Sequence, residues 1–199
     1  MDRHAWNERY EATDLVWTAG PNQTFADEVG GLEPGTALDL AAGEGRNAIW
    51  LATQGWTATA VDFSDVALDK ARQLAEARDV EIETVVADVT THVPTAGAYD
   101  LVAVIYLHLP ADDRRLVHQR AAAAVAPGGT LIVLGHDTTN LTDGHGGPQD
   151  AAVLYTPDDV VTDLEGTGLT VTKAERVDRT VSTPDGDRTA IDALVVATR

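Results

Sequence analysis

The stretch that decides the fold runs from residue 38 to residue 48 and reads Leu38-Asp39-Leu40-Ala41-Ala42-Gly43-Glu44-Gly45-Arg46-Asn47-Ala48. It leaves a short apolar run, turns through two glycines and enters a segment with helical spacing. Gly43 allows a tight turn, and Gly45 lets the backbone approach a ligand without a Cβ in the way. Free N–H groups at the start of the helix then favour a carboxylate or a phosphate.

Strands and helices alternate along the chain around this loop. The apolar runs predict strands, and the segments between them predict helices. Such alternation implies right-handed crossovers and a doubly wound, mostly parallel α/β sheet. We expect strands over residues 36–41, 57–61, 81–86, 99–105 and 129–134, and helices over 46–54, 65–78, 112–125 and 157–164.

The pattern changes near the end of the sequence. Two runs rich in Val and Thr, 169–181 and 189–198, are joined by Thr183-Pro184-Asp185-Gly186-Asp187, whose Pro-Asp-Gly is a strong turn signal. We therefore expect a seven-stranded Rossmann-like sandwich whose sheet ends in an antiparallel β-hairpin. No linker or internal repeat divides residues 1–199, which we interpret as a single domain.

Composition limits the partners of the protein. The formal net charge is −18 and there is no cysteine. Phosphate backbones and anionic lipids would repel such a surface, so we expect neither a nucleic acid nor a membrane as a partner. The absence of cysteine, of a secretory signal and of a membrane-spanning run indicates a cytoplasmic protein. The acidity suits either a high-salt cytoplasm, in which case structure should be lost in dilute buffer, or simply a GC-rich genome.

Three aspartates at predicted strand ends sharpen the meaning of the glycine loop. Asp62 ends the second strand, where a carboxylate can accept hydrogen bonds from two ribose hydroxyls. Asp88 ends the third strand within reach of an adenine amino group, and Asp39 precedes the glycine turn, where it can face a positive charge. One such Asp is usually a cap or turn residue. Three on successive strands beside a glycine loop favour a ligand site.

These motifs resemble those of the class I S-adenosylmethionine (SAM)-dependent methyltransferases across nearly the whole chain. The resemblance implies that SAM is the cofactor, that Asp39 and the loop hold its methionine part, and that Asp62 holds its ribose. It places the adenine beside Ala87-Asp88-Val89. The full set of expected cofactor-binding residues is Asp39, Ala41, Gly43, Gly45, Arg46, Asn47, Asp62, Phe63, Ala87, Asp88, Val89 and Ile105. Within the class, the loop, the opening Trp6-Asn7-Glu8-Arg9-Tyr10 and the hairpin look most like the tellurite-resistance and thiopurine-type enzymes.

The same resemblance puts the end of the fourth strand beside the reactive methyl group. His108 could act there as a base or orient the acceptor, or it could start a helix, and Tyr106 could contact substrate or the core. His136 and Asp137 emerge after the fifth strand at the same sheet edge. We therefore expect Tyr106, His108 and His136 as catalytic candidates and Asp137 as an acceptor contact. A metal held by His136, Asp137 and His145 is a minor alternative, and we predict no metal site.

The first 30 residues are interpreted as a lid. Trp6, Tyr10 and Trp17 could form an apolar wall that excludes water, as in similar methyltransferases, or pack as a plain helix on the sheet edge. Arg9 could pair with the SAM carboxylate or an anionic acceptor. The other histidines, His4, His92 and His118, are predicted on the surface.

The function predicted from the sequence is methyl transfer from SAM to a small molecule. Sulfur, selenium, tellurium, oxygen and nitrogen centres all remain open as acceptor atoms, and the oligomeric state is unknown. The glycine spacing of Gly43, Gly45 and Ala48 also fits a dinucleotide loop, so a nicotinamide-dependent oxidoreductase is the main rival. A SAM-binding regulator without catalysis is the other.

Overall fold

A computed structural model describes residues 2–16 and 18–199. Its strands are β1 Thr36–Leu40, β2 Thr57–Asp62, β3 Glu83–Val86, β4 Tyr99–Ile105, β5 Val125–His136, β6 Thr170–Thr183 and β7 Gly186–Thr198. Its helices are α1 Arg3–Glu11, α2 Gln23–Val29, α3 Arg46–Thr53, α4 Asp65–Glu76, α5 Ala111–Ala124, α6 Asn140–Asp143 and α7 Pro157–Asp163, with a 3₁₀ turn at Ala151–Val153. No helix among these residues is long and apolar enough to cross a membrane.

The seven strands form one sheet in the order β3-β2-β1-β4-β5-β7-β6. The first five strands in this order are parallel, and β7 pairs antiparallel with both β5 and β6. This confirms the predicted Rossmann-like sheet and its terminal hairpin. Because parallel strands end at one edge, the ends of β1, β2, β4 and β5 meet there, as ligand sites in open α/β sheets require.

The hairpin extends past this edge. Along β7, the pairing with β5 stops at Asp192, which lies opposite His136, the last residue of β5. Residues 186–191 therefore pair only with β6 and project beyond the sheet. Arg179 of β6 lies opposite Ala190 in this projecting part. The hairpin thus carries charged side chains of β6 and β7 to the edge where the parallel strands end.

Helices cover both faces of the sheet, which explains why β1, β2, β4 and the second half of β5 are buried almost continuously. On one face Leu38 and Leu131 pack with α5 and α7, and on the other Ala103 and Ile132 pack with α2, α3 and α4. Ser64 caps α4, because its hydroxyl accepts the Ala67 N–H at the start of that helix. Burial of each large aliphatic side chain contributes about 1.5–3 kcal/mol.

Several element boundaries predicted from sequence are wrong by a few residues. β5 begins at Val125 rather than 129, because Val125 already pairs with Tyr99 of β4. The Pro-Gly-Gly turn then lies within β5, where the register with β4 shifts. β3 begins at Glu83 rather than 81, and α4 ends at Glu76 rather than 78. The hairpin strands run closer to their turn than predicted, because their cross-strand pairing continues to Thr183 and Gly186.

Candidate active site

The loop after β1 has the backbone that its glycines predict. Gly43 and Gly45 have φ values of 55° and 73°, and Ala41 also lies in the left-handed region at 60°. A Cβ built on Gly45 would lie 2.9 Å from the Cβ of Ala71 on α4. Gly45 is also the N-cap of α3 and supplies no side chain to cap it. The first turn of the helix is therefore packed tightly against α4, and in place of a cap from Gly45 the Asp39 carboxylate accepts a hydrogen bond from the backbone N–H of Ala48.

Asp39, at the end of β1, is the most unusual charge beside this loop. Its side chain is 1% exposed, and its Oδ2 makes no hydrogen bond within the described residues. Burial raises the pKa of Asp39 to about 7, with the nearby Arg46 opposing that rise and Asp62 adding to it. A buried carboxyl oxygen without a partner is costly. It fits a position that a cationic ligand group completes.

Asp62 fixes the loop from the neighbouring strand. Its Oδ2 accepts the N–H of Gly43 at 2.8 Å, and its Oδ1 accepts the N–H of Ser64 at 2.9 Å. Burial raises the pKa of Asp62, although these two hydrogen bonds act against the rise. A carboxylate has about four lone-pair directions, so both oxygens retain capacity for a further donor. The predicted ribose contact is compatible with this geometry.

The expected adenine-binding residues lie at the ends of β2 and β3. Phe63 and Ala87 are half-buried and Val89 is buried, and the Ala87 N–H donates to the Asp62 carbonyl at 2.9 Å. Asp88 is exposed, and its Oδ1 accepts both the N–H and the hydroxyl of Thr90. The second carboxylate oxygen of Asp88 makes no hydrogen bond in the described part of the chain. Ile105 is 6% exposed and packs in the core below the site.

The end of β4 carries the acceptor-side candidates. Tyr106 has a φ of 57°, a strained value for an aromatic residue, and such strain is concentrated at functional sites. Its hydroxyl donates to Asp192 Oδ2 at 2.5 Å and accepts from Arg179 Nε at 2.9 Å and from Asn22 Nδ2 at 3.3 Å. Burial, reinforced by the charge of Asp192, raises the pKa of Tyr106, so the phenol stays protonated.

Asp192 is the centre of this cluster. It is fully buried, and its Oδ2 also accepts from Arg179 Nε at 2.9 Å. Its Oδ1 lies 3.0 Å from His136 Nδ1, an ion-pair distance, although the ring N–H is not aligned for a linear hydrogen bond. Burial favours the neutral acid, but His136, Tyr106 and Arg179 outweigh it and lower the pKa of Asp192.

The structure brings the three predicted catalytic candidates together. The ring centroids of Tyr106 and His136 lie 5.0 Å apart, and those of His108 and His136 are stacked at 5.4 Å. His108 Nε2 accepts the backbone N–H of His136 at 3.1 Å, and the ring also bonds the backbone of Tyr106. Burial, together with the charge of His136, lowers the pKa of His108 to about 4. His108 is therefore neutral, and both of its nitrogens are engaged.

Asn22 links this cluster to the glycine loop. Its backbone N–H donates to Asn47 Oδ1 at 3.0 Å, and its side chain donates to the Tyr106 hydroxyl. Asn22 also caps α2. The first residues of α3 and the end of β4 are therefore joined through one residue, by its backbone and its side chain, and the predicted cofactor and acceptor regions lie next to each other.

Two of the residues predicted to contact ligands also have partners within the protein. Asp137 is fully buried, where its Oδ1 accepts the N–H and hydroxyl of Thr139 and its Oδ2 lies 2.9 Å from Arg176 Nε. Asn47 is 4% exposed, with its oxygen taken by Asn22. Both side chains hold loops in place, because a polar group at a buried strand or helix end needs a partner. Within residues 2–16 and 18–199, no cluster of three or more His, Asp or Glu side chains is arranged to hold a metal.

The N-terminal segment is tied to the cofactor side of the sheet. Trp6 and Tyr10 stack at 5.4 Å, and Arg9 lies 5.1 Å from the Trp6 ring. Lys70 of α4 donates to the backbone carbonyls of Tyr10, Thr13 and Asp14, the last two at 2.6 and 3.2 Å, and lies 3.3 Å from Glu44 of the glycine loop. Trp17, also predicted in the lid, lies outside the described residues.

One histidine prediction is wrong. His118 is fully buried rather than on the surface, and its Nδ1 lies 3.0 Å from Asp163 Oδ2. Asp163 also accepts a hydrogen bond from Arg114 Nε at 2.7 Å, so the three side chains form a buried cluster between α5 and α7. Burial lowers the pKa of His118 despite the neighbouring carboxylate. The cluster compensates the polar groups that this helix pair buries.

Sequence reasoning missed Asp192, Arg179 and Asn22. A signal for Asp192 existed, because it is a lone charge within the apolar strand run Ala190-Ile191-Asp192-Ala193-Leu194. A charge at such a buried position needs partners. Arg179 and Asn22 carry no such signal, since both belong to polar stretches.

Comparison with known proteins agrees with this geometry. Residues 37–129 match the family described as "Methyltransferase domain". The 2-heptyl-1-hydroxyquinolin-4(1H)-one methyltransferase of Mycobacteroides abscessus is 29% identical over 117 residues, which are 57% of this chain and 52% of that protein. The chain thus spans about half the length of this curated relative.

Two solved structures share the fold over 99% of this chain. One, from work on conversion of a disulfide bond into a thioacetal group during echinomycin biosynthesis, has a TM-score of 0.80, 20% identity and 92% coverage of its own chain. The other is TehB from Haemophilus influenzae, with a TM-score of 0.75, 15% identity and 66% coverage. At these identities the likeness establishes the fold, including the antiparallel hairpin.

Proposed function

Because the chain carries a class I SAM-dependent methyltransferase domain, we propose that it transfers the methyl group of SAM to a small-molecule acceptor. The observation that carries the proposal is the buried, unpartnered Asp39 oxygen beside a glycine loop that Asn22 joins to the Tyr106–Asp192–His136 cluster. The M. abscessus relative is named for a small N-hydroxyquinolone, which supports an acceptor of that size.

The residues around the glycine loop fit SAM. Asp39 offers its unpartnered Oδ2 to a positively charged group, and the start of α3, whose N-cap Gly45 has no side chain, can offer N–H groups to a carboxylate. SAM carries both kinds of group. Asp62 holds the loop through Gly43 and has room for ribose hydroxyls, and Ala87, Asp88 and Val89 border the place for the adenine. When bound, SAM supplies a methyl group on a positively charged sulfur.

The residues of the chain orient the two reactants and exclude water from the site. Methyl transfer from a sulfonium is an in-line displacement, for which correct orientation of two reactants supplies about 7–11 kcal/mol. Tyr106 and His108 are held by hydrogen bonds to Asp192, Arg179 and the backbone of β5, so their rings form a fixed wall. A wall of this kind orients an acceptor without rearrangement.

We also propose that the first 30 residues act as the lid of the site. Their contacts support this role, because Lys70 of α4 binds backbone carbonyls of the segment after α1 and also pairs with Glu44 of the glycine loop. Arg46 of the loop reaches Thr18 at 3.4 Å, and the Val16 N–H donates to Glu44. These contacts support a lid on the cofactor side of the sheet edge, where exclusion of water would strengthen electrostatic contacts.

The two rival functions make different use of the same loop. A nicotinamide-dependent oxidoreductase would have no need of the buried Asp39 carboxyl. A SAM-binding regulator would have no need of the cluster at the ends of β4 and β5. Protection against thermal unfolding separates the first rival, because a ligand that binds only the native state raises the Tm. S-adenosylhomocysteine (SAH) should raise the Tm and NADH should not, and the reverse result would reject the proposal.

A further inference from the structure

One nitrogen of the acceptor-side cluster remains chemically available. The Tyr106 hydroxyl is committed to Asp192, and both nitrogens of His108 are engaged with the backbone of residues 106 and 136. His136 turns its Nδ1 to Asp192, while its Nε2 makes no hydrogen bond among the described residues. A neutral imidazole with its proton on Nδ1 has its lone pair on Nε2.

The environment of His136 suits a proton acceptor. Asp192 Oδ1 lies 3.0 Å from its Nδ1, so the carboxylate can stabilise the imidazolium that forms when Nε2 takes a proton. Tyr106 and Arg179 occupy the other oxygen of Asp192 and keep that carboxylate ionised. His108 is stacked on His136 and is neutral, so it adds no competing charge.

Arg179 adds a further element. Only its Nε is used, by Asp192 and Tyr106, while its two amino groups make no hydrogen bond in the part of the chain that the structure describes. The side chain is 26% exposed, and its guanidinium lies 5.5 Å from the centre of the Tyr106 ring. It can therefore face an acceptor oxygen on which negative charge develops.

We propose that His136 is the general base of the proposed methyl transfer, that Asp192 is its positioning residue, and that the acceptor is therefore a protic oxygen group, a hydroxyl or N-hydroxyl. This rests on the proposed function. A thiolate or selenide arrives already ionised and needs no base, so a built imidazole–carboxylate pair indicates an acceptor that must lose a proton.

The step balances without another reactant. The O–H bond of the acceptor breaks, its proton goes to His136 Nε2 and its electron pair stays on oxygen. That pair forms the new bond to the methyl carbon, as the bond from this carbon to the sulfonium sulfur breaks and leaves a neutral thioether. His136 then returns the proton to water.

Matched acceptors test this proposal. We would assay a series of ring-substituted phenols and the corresponding thiophenols, at about pH 8, where phenols are largely protonated and thiophenols are ionised. The variants are His136→Asn, which keeps a polar atom near Asp192 but has no atom at the Nε2 position, and Asp192→Asn. His145→Asn, an exposed histidine in the neighbouring loop, is the control for the substitution.

We expect both variants to lower kcat on phenols by about 10²- to 10⁴-fold and to leave thiophenol turnover within about threefold. Nitrogen-15 spectra of histidine-labelled protein should show neutral His136 with its proton on Nδ1, and a mixed tautomer in Asp192→Asn. Equal losses on both acceptor series, no loss on phenols, or wild-type turnover of thiophenols alone would overturn the proposal. So would tight SAH binding with no turnover of either series. Failure of SAH to bind would instead reject the proposed function.

Discussion

Gly147 lies directly against the imidazole of His136. A Cβ built on Gly147 would come within 2.4 Å of the Cδ2 atom and 2.7 Å of the Nε2 atom of that ring. The loop after β5 therefore packs against the imidazole whose Nε2 is proposed to take the proton. Only a glycine permits this approach, because its φ of 77° is also in the left-handed region.

The Gly147→Ala variant should lower methyl transfer by at least about tenfold, because a displaced ring is badly placed for catalysis. The neighbouring Gly146 has the same φ of 77° but no atom within 4 Å of a built Cβ. Gly146→Ala is thus a matched control that pays only the backbone strain, about 1–2 kcal/mol. Steady-state kinetics with SAH titrations check both variants. Equal activity of the two variants would show that a methyl group at position 147 does not displace the His136 ring.

Replacement of Asp39 by Asn should stabilise the protein and abolish tight cofactor binding. The folded-state pKa of Asp39 is about 7, above its ordinary value of 3.8, so the folded protein binds more protons than the unfolded chain between these values. Stability contributed by this group is therefore greatest at acid pH and falls as pH rises through that window. Above about pH 7, the ionised Asp39 lowers the free energy of unfolding by a few kcal/mol at most, since one pKa unit corresponds to about 1.4 kcal/mol.

Urea unfolding at several pH values measures this difference. The gain in free energy of unfolding for Asp39→Asn should grow from about pH 4 to about pH 7 and then level off. Asp100 is the control, because hydrogen bonds from Thr36 lower the pKa of this exposed carboxyl, a shift opposite to that of Asp39. Asp100→Asn should therefore show no gain in the free energy of unfolding. A less stable Asp39→Asn protein at neutral pH would show that its carboxyl has a partner in the folded state.

The Gly45→Ala variant should weaken both folding and cofactor binding. Its methyl group would meet the Ala71 Cβ at 2.9 Å, so α3 must move away from α4 and take the loop with it. Gly97 is the matched control, with a φ of 63° and open space around it. Beyond the shared cost of backbone strain, we expect about 1–3 kcal/mol of additional loss for Gly45→Ala only. Denaturant unfolding of the two variants measures this excess, and identical losses would contradict it.

Loss of the Lys70 ammonium should release the N-terminal segment. Lys70→Met removes hydrogen bonds to three backbone carbonyls and the ion pair with Glu44, and hydrogen bonds to charged groups contribute about 1.5–3 kcal/mol each. Amide hydrogen exchange in residues 10–16 should become faster, and SAH affinity should fall. Lys173→Met is the control, because this lysine, the only other one in the sequence, pairs with Glu28 on the surface. Unchanged exchange in Lys70→Met would mean that other contacts hold the segment.

The parts of the structure that could be predicted from sequence are those with a local signal. Gly43 and Gly45 have left-handed backbone, and Asp39 and Asp62 lie in or at the end of apolar runs, so the sequence alone predicts the loop and its carboxylates. The terminal hairpin is likewise predicted from the turn signal Pro184-Asp185-Gly186. These are features in which the neighbours along the chain are also the neighbours in space.

The remainder depends on pairing between distant segments. Asp192 meets His136 only because β7 pairs with β5 in one register, and Arg179 reaches both only because the hairpin projects past the sheet. Asn47 and Asp137 are predicted to contact ligands, and the sequence gives no sign that each also has a partner from a distant segment, Asn22 and Arg176. Strand register and hydrogen bonds between distant segments of the chain cannot be predicted from a single sequence.

The loop at Gly43 and Gly45, with the carboxylates beside it, is proposed to hold an adenosine-bearing cofactor. Calorimetric titration of SAH into the wild-type protein and into Asp62→Ala and Gly43→Val measures that binding. We expect one site per chain in the wild type and a loss of affinity of at least about tenfold in each variant, because Asp62→Ala removes the contact between Asp62 and Gly43 and Gly43→Val disturbs the backbone that makes it. Affinity equal to that of the wild type in both variants would contradict it.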